Sequence, residues 1–182
     1  MVSEKTSSPA HAAGDPLGEA VRHEIQHEAG LYEQPQAACI DALLIVQRHH
    51  GWVSDASVAE IGRLLDMSAD AVDSVATFYN GIYRRPVGRH VIRVCSSISC
   101  WVMGYDKLRD ALAEKTGVPL GGTTADGRFT LIPIQCLGAC DHAPTLMIGD
   151  DLHRDVEPAK VGELLDRYPL HGGPAARSEE PS

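Results

Sequence analysis

Five cysteines occur in this chain of 182 residues, and four of them form two closely spaced pairs. Cys95 and Cys100 belong to VCSSISC, with four residues between them, and Cys136 and Cys140 belong to IQCLGACDHAP, with three residues between them. Four thiolates that converge on one place can bind a tetrahedral zinc ion or a [2Fe-2S] cluster. The sequence therefore predicts a sulfur-based metal centre, and an unrelated set of core or redox thiols is the remaining interpretation.

The lengths of the two loops bear on the choice between zinc and a cluster. Structural zinc sites usually place two residues between paired thiols, although up to four are tolerated. Two wider loops suit a group with two irons, each of which takes two thiolates. Gly138 allows close approach of the backbone, and Ser96, Ser97 and Ser99 offer hydrogen-bond donors to sulfur. These features favour the cluster, and a structural zinc module stays the alternative.

Two further residues could take part in such a centre. Cys39 shares a helical face with Leu43 and Val46, and free cysteine is often a small buried hydrophobe, so we expect a core role for it. His142 follows Cys140 by two positions and could be a ligand. Because four cysteines are already present, we expect His142 to have a supporting or solvent-facing role.

The composition is that of an ordinary globular protein, with 43% hydrophobic and 23% charged residues. No apolar run approaches the roughly 20 residues that span a bilayer, and the N-terminal residues carry no export signal. We therefore expect a cytoplasmic protein without direct membrane insertion. Thiols stay reduced in the cytoplasm, so ligand or redox chemistry is expected of the paired cysteines rather than disulfides.

One segment, AEIGRLLDMSADAVDSVATFY, resembles a DNA-binding helix-turn-helix. Its second helix, however, exposes Asp70 and Asp73 and carries no Lys or Arg, and the chain has a net charge of -9. Carboxylates at these positions would repel phosphate. We therefore expect no nucleic-acid partner and interpret the segment as a packing module with a surface for another protein.

Periodicity divides the chain into a helical part and a mixed part. Between Leu17 and Tyr83 apolar residues recur at helical spacing and predict four helices. Ser57 and Glu60 form a capping-box pair that would open the third helix, and Ser68 is the expected N-cap of the fourth. The predicted domains are a flexible tail at 1–16, a helical bundle at 17–85, a second domain at 86–170 and a flexible tail at 171–182.

The second domain has the predicted order β-α-β-β-β-α, which gives an α+β fold with a small mixed four-stranded sheet. The expected elements are the strands HVIRVC, FTLIPIQ, Thr145–Ile148 and Leu152–Val156, with helices at Tyr105–Thr116 and from Pro158 to Arg167. Cys95 and Cys136 then lie at the carboxyl ends of two strands, with Cys100 and Cys140 in the loops that follow. Ligands gather at that edge of α/β sheets, so both pairs could face one point.

Three segments carry a resemblance to a known family: PVGRHVIRVCSSISCWVMGYDKL, GGTTADGRFTLIPIQCLGACDHAPTLMI and VATFY. They resemble the [2Fe-2S] subunits of the peripheral arm of bacterial NADH-quinone oxidoreductases, which have a counterpart in mitochondrial respiratory complex I. The resemblance extends from about Leu17 to Tyr168 and includes the spacing of the cysteines.

The resemblance implies a thioredoxin-like ferredoxin domain after a helical bundle, with one [2Fe-2S] cluster on Cys95, Cys100, Cys136 and Cys140. It implies an electron carrier in the peripheral arm on the cytoplasmic side, packed against the flavin subunit and other peripheral-arm subunits. The flavin subunit binds NADH, FMN and a [4Fe-4S] cluster, and the [2Fe-2S] cluster exchanges one electron with its FMN. The chain alone is then no enzyme. The alternative within this resemblance is the homologous diaphorase subunit of an NAD-linked hydrogenase or formate dehydrogenase.

Overall fold

The computed structural model describes residues 16–170 and divides the chain into two compact units, with the division after Pro86. The predicted tails, 1–16 and 171–182, lie outside the described residues except for Pro16. Within the described range no helix has both the length and the apolar character needed to cross a membrane. Each unit has its own hydrophobic core.

The first unit consists of the four predicted helices, which confirms the helical periodicity between Leu17 and Tyr83. Apolar residues from all four helices meet in a closed core, with Ile25, Leu43, Ile61 and Val72 fully buried. A single 3-10 turn at Pro35–Ala38 precedes the second helix. The helices are α1 (Glu19–Ala29), α2 (Cys39–His50), α3 (Asp55–Leu65) and α4 (Ala69–Phe78).

The start of α3 differs from the prediction. Ser54 is the N-cap, three residues before the predicted cap, and its hydroxyl accepts a hydrogen bond from the Ser57 backbone N–H at 3.1 Å. Glu60 therefore lies inside the helix, where its carboxylate accepts hydrogen bonds from Arg22 and Arg63 instead of a backbone N–H. The capping-box assignment to Ser57 and Glu60 is wrong. The N-cap role of Ser68 is confirmed by its bond from the Ala71 N–H at 3.1 Å.

The second unit consists of β1 (His90–Cys95), α5 (Ile98–Val102), α6 (Tyr105–Thr116), β2 (Phe129–Ile134), β3 (Leu146–Ile148), β4 (Asp151–His153) and α7 (Val161–Asp166). The strands form a mixed four-stranded sheet, as predicted, in the order β2-β1-β3-β4. The central strand β1 pairs in parallel with β2 and antiparallel with β3. Helix α6 ends at Gly117 as expected, and Pro133 is tolerated because β2 lies at the edge of the sheet.

Three details of this unit were not predicted. The short helix α5 occupies the loop that follows β1. Strand β4 is Asp151–His153 rather than Leu152–Val156, because Ile148 already pairs with Asp151 across a two-residue turn. The last helix starts with a 3-10 turn at Pro158–Lys160 before α7.

The end of α3 provides a test of close packing. A Cβ atom added at Gly62 would lie 2.7 Å from the backbone oxygen of Met67. Alanine normally stabilises a helix interior relative to glycine by about 1 kcal/mol, whereas overpacking against backbone costs about 1–3 kcal/mol. We therefore expect Gly62→Ala to lower the free energy of unfolding, measured by urea denaturation with circular dichroism.

The matched control is Gly81→Ala, because a Cβ atom there meets nothing within 4 Å and the backbone is not left-handed. This variant should unfold at the same urea concentration as the unsubstituted chain or at a slightly higher one. A stabilised Gly62→Ala protein would show that the turn after α3 moves away at little cost.

Glu60 makes the stability of the first unit depend on pH. Burial raises the pKa of this carboxyl, but the Arg63 and Arg22 guanidinium groups outweigh burial, and the pKa lies below its ordinary value. A carboxyl with a lowered pKa stabilises the fold above its unfolded pKa, about 4.3, and loses this contribution as the pH falls. Glu60→Gln should therefore destabilise the protein at pH 7 and much less at pH 3.5, as measured by urea denaturation. A difference that does not change with pH would contradict this account.

Candidate metal centre

Two loops begin side by side at one edge of the sheet. Because β1 and β2 are parallel and Cys95 is in register with Ile134, both strands end at the same edge. Cys95 is the last residue of β1, and Cys136 follows the end of β2 by two residues. The Ser96 N–H donates to the Ile134 oxygen at 2.9 Å, which continues the pairing past the strand ends. The two predicted pairs of cysteines thus start from adjacent points.

The first loop places its two thiols inside the protein. Cys95 and Cys100 are both buried and pack with Ala143. Cys100 lies on α5, not in an irregular loop as expected, and its Sγ is 3.5 Å from the buried Thr145 Oγ1. The Thr145 backbone oxygen also accepts the Cys95 N–H at 3.2 Å. Thr145 therefore contacts both members of this pair.

The second loop places its thiols at the surface. Cys136 and Cys140 are exposed, and their Sγ atoms are 3.6 Å apart. Gly138 between them has φ +79°, a left-handed conformation that favours glycine, and its N–H donates to the Cys136 Sγ at 3.3 Å. The conformation of Gly138 thus directs a backbone N–H at one of the two adjacent sulfurs.

Hydrogen bonds between the loops bring the two pairs to one site. The Leu137 N–H, from the second loop, donates to the Cys95 sulfur. The Ser99 hydroxyl, from the first loop, donates to the Cys140 sulfur, whereas the Ser97 hydroxyl lies 3.5 Å from the Cys95 sulfur in its own loop. Each loop therefore supplies a donor to a thiol of the other loop, and residues 35 or more positions apart in sequence form one cluster of polar groups and sulfurs.

These donors set the acidity of the thiols. Burial raises the pKa of Cys95, but hydrogen bonds from the Ser97 hydroxyl and N–H, the Cys100 thiol and the Leu137 N–H outweigh it and lower the pKa to about 7. The Cys140 thiol donates to Cys136, and this bond together with the negative charge of a Cys136 thiolate raises the pKa of Cys140. Thiolates are the form that binds metals, so the site holds one sulfur already close to its ligating state.

The arrangement fits a [2Fe-2S] cluster on chemical grounds. The donor set is four thiols in two pairs, which matches two irons with two thiolates each. N–H and O–H donors surround the sulfurs and can offset the negative charge of such a centre. Among residues 16–170, no three His, Cys, Asp or Glu side chains lie close enough together to bind one metal ion as they stand.

The other residues considered from the sequence lie outside this set of donors. Cys39 is 4% exposed in the core of the first unit, as expected. His142 is exposed, as the solvent-facing alternative expected, and its Nδ1 lies 2.8 Å from Asp155 Oδ2. The Ser96 hydroxyl donates to the Ile134 oxygen at 3.1 Å, so its expected role as a donor to sulfur is wrong.

Two features of the site were not predicted from the sequence. Thr145 is 45 positions from Cys100 in sequence, and no local sequence pattern predicts the contact between their side chains. Helix α5 and the residue that caps its end also expose four large apolar side chains near the buried Cys100. We name them the α5 patch: Ile98 (71% exposed), Trp101 (58%), Val102 (68%) and Met103 (61%). The uncharged run ISCWVM was the available signal for this surface. Exposed apolar patches of this kind mark contacts with other molecules.

Comparisons with known proteins agree with this geometry. The sequence model of the thioredoxin-like [2Fe-2S] ferredoxin family matches residues 25–169. A subunit of the NADH-quinone oxidoreductase of Pseudomonas aeruginosa is 51% identical over 152 residues, which cover 84% of this chain and 92% of the relative. The same-named subunit of the Escherichia coli K12 enzyme is 49% identical over the same shares.

A solved structure shows the same fold at low sequence identity. The NAD+-reducing [NiFe]-hydrogenase in the H2-reduced state matches with a TM-score of 0.62 and 20% identity, over 72% of this chain and 22% of the hydrogenase chain. At this identity the likeness concerns the fold alone. The family match covers most of the chain, and it confirms the fold and the [2Fe-2S] cofactor expected from the sequence. The chain belongs to the thioredoxin-like [2Fe-2S] ferredoxin family.

Proposed function

We propose that this chain is the electron-carrier subunit of a respiratory NADH-quinone oxidoreductase and that Cys95, Cys100, Cys136 and Cys140 hold its [2Fe-2S] cluster. The observation that carries the proposal is the convergence of two thiol pairs on one sheet edge, where each loop donates hydrogen bonds to a sulfur of the other. Such a cluster takes up and releases one electron at a time.

The residues of this chain bind the cluster and adjust its charge. Four thiolates bind, and the donors from Gly138, Leu137, Ser97 and Thr145 stabilise negative charge on sulfur. Such donors favour the reduced form and raise the reduction potential. The chain supplies no NADH site in this proposal, and NADH oxidation occurs on the flavin subunit.

Its relatives are named as subunits of a larger enzyme, and the chain assembles with other subunits of such a complex. We propose that its direct partner is the flavin subunit that binds NADH and FMN, in a peripheral arm on the cytoplasmic side of the membrane. The α5 patch supports a contact beside the cluster, because apolar side chains next to Cys100 are covered when a partner docks. The helical unit is proposed to provide further contact.

The ligand assignment is tested by replacing each of the four cysteines with serine. Every substitution should reduce or change the absorption and the EPR signal of the reduced protein, because an oxygen ligand or a missing ligand alters the iron site. Iron and sulfide analysis, with two of each expected per intact chain, measures the loss. A colourless wild-type protein with one zinc per chain would support the structural zinc module instead.

Cys39→Ser is the matched control, since Cys39 is buried in the core of the first unit. It should keep its full iron content and its spectrum. The ligand assignment fails if all four site variants are as unaffected as this control.

The contact through the α5 patch is tested by Trp101→Asp in the chain co-expressed with its flavin subunit. A charge in a covered apolar contact should weaken binding on the order of tenfold, while the isolated chain keeps its cluster. Trp101→Phe retains the apolar surface and should bind normally. Normal binding by Trp101→Asp would place the partner elsewhere, and the identity of the co-purified subunits separates a respiratory complex from a hydrogenase or a formate dehydrogenase.

A further inference from the structure

A groove of about 430 Å³ runs over the surface of the helical unit, away from the cysteine pairs in sequence. It lies where α2 and the turn before it face α4. Its apolar lining includes Ile40, Met67, Val75, Phe78 and Tyr79. The groove belongs entirely to the first unit and takes no part in the metal centre.

The apolar side chains along this groove are unusually exposed. Phe78, at the end of α4, is 77% exposed, and Tyr79 beside it is 42% exposed. Leu44 is 45% exposed and lies one helical turn after Ile40, so it extends the apolar stripe along α2. A groove between two helices with such a stripe has the form that accepts the apolar face of a third helix.

The charged residues of the two segments that line the groove have one sign. These segments, residues 31–45 and 66–79, contain no Lys, Arg or His and carry five carboxylates. Arg84 neutralises one of them, Asp73, through a 2.8 Å ion pair. Outside these segments, Arg63 lies four positions before the lining residue Met67 and is paired with Glu60. Asp70 has no ion-pair partner among residues 16–170 and lies one turn before Ser74, a lining residue, and two turns before Phe78. We call the five carboxylates of these segments the acidic rim, since they lie on the same segments as the apolar lining residues but outside the lining itself.

We propose that this groove binds an amphipathic helix from another subunit of the same assembly, with large apolar side chains on one face and Lys or Arg on its flanks. Apolar side chains fill the floor beside Val75 and Phe78, and the basic flanks meet Asp70 and Asp41. Opposite charge on the rim guides docking and selects the partner, and burial of the apolar face supplies most of the affinity. The proposal rests on the proposed function only in requiring that the chain assembles with other subunits.

The occupant is identified by cross-linking in the complete assembly. Benzoylphenylalanine, a photoactivated cross-linker, replaces Phe78 in the full chain, and a second preparation carries it at Trp101 in the α5 patch. The assembly is purified through a tag on this chain, irradiated, and the cross-linked peptide is sequenced by mass spectrometry. From position 78 we expect a single segment with apolar residues at helical spacing and net positive charge.

The other outcomes overturn the groove proposal or the proposed function separately. The groove proposal alone is overturned if position 78 cross-links to an acidic or non-amphipathic segment or to a second copy of this chain. It is also overturned if position 78 gives no cross-link while position 101 does. A chain that purifies without any other subunit would overturn the proposed function as well.

Affinity measurements then test the charge and the apolar floor separately, with the cross-linked segment made as a synthetic peptide. Phe78→Asp and Asp70→Lys should each weaken binding on the order of tenfold, and Asp70→Lys should also reduce the salt dependence. Phe78→Leu keeps an apolar side chain, and Glu114→Lys makes the same charge reversal outside the groove on α6, so both should bind like the unsubstituted chain. All variants should keep the cluster spectrum. If Asp70→Lys and Glu114→Lys weaken peptide binding equally, the overall charge of the chain explains the effect, and the proposal is overturned.

Discussion

The parallel pairing of β1 with β2 is the constraint on which the metal centre depends. Two strands that end at the same sheet edge deliver Cys95 and the loop of Cys136 to neighbouring points, although 40 residues separate them in sequence. The connection between parallel strands must cross over the sheet, and α6 makes that crossover here. A slip of one residue in this register would turn the Cys95 side chain to the opposite face of the sheet. The site therefore requires both this order of the strands and this register.

The hydrogen bonds around the sulfurs follow from the same geometry. Thr145 stands before β3, which pairs with β1 on its other side, so its backbone oxygen reaches Cys95 and its hydroxyl reaches Cys100. On the β2 side, the Leu137 N–H reaches Cys95. The central strand therefore holds its terminal cysteine between partners from both neighbours. Burial alone would raise the pKa of this thiol, but hydrogen bonds from Ser97 and Cys100 in its own loop, together with the Leu137 N–H, keep it at about 7.

Local sequence patterns predicted the features that depend on residues close together in sequence. Helical periodicity gave the four helices of the first unit, and the Gly117 stop gave the end of α6. The prediction failed where a distant partner decides the outcome. Glu60 has the spacing of a capping residue relative to Ser57, but Arg22 on α1 holds it inside the unit. Helix α5 has only five residues and no charged face, so periodicity could not distinguish it from a loop.

The same distinction holds for the candidate site. The spacing of the cysteines was visible in the sequence, and their convergence followed from the predicted strands. The donors could be predicted only in part. Ser97 and Ser99 do reach cysteine sulfurs, at Cys95 and Cys140. The Ser96 hydroxyl instead donates to Ile134, and Thr145 reaches Cys100 from the position just before β3. Which hydroxyl faces a sulfur depends on the backbone path of both loops, and one sequence does not specify that path.

The unequal exposure of the two cysteine pairs affects how iron can be delivered to the finished fold. Cys95 and Cys100 are buried, whereas Cys136 and Cys140 are exposed to solvent. A scaffold protein that hands over a preassembled cluster would meet the outer pair first, and ligand exchange would then proceed inward. The outer thiols are therefore the side of the site that is open to solution.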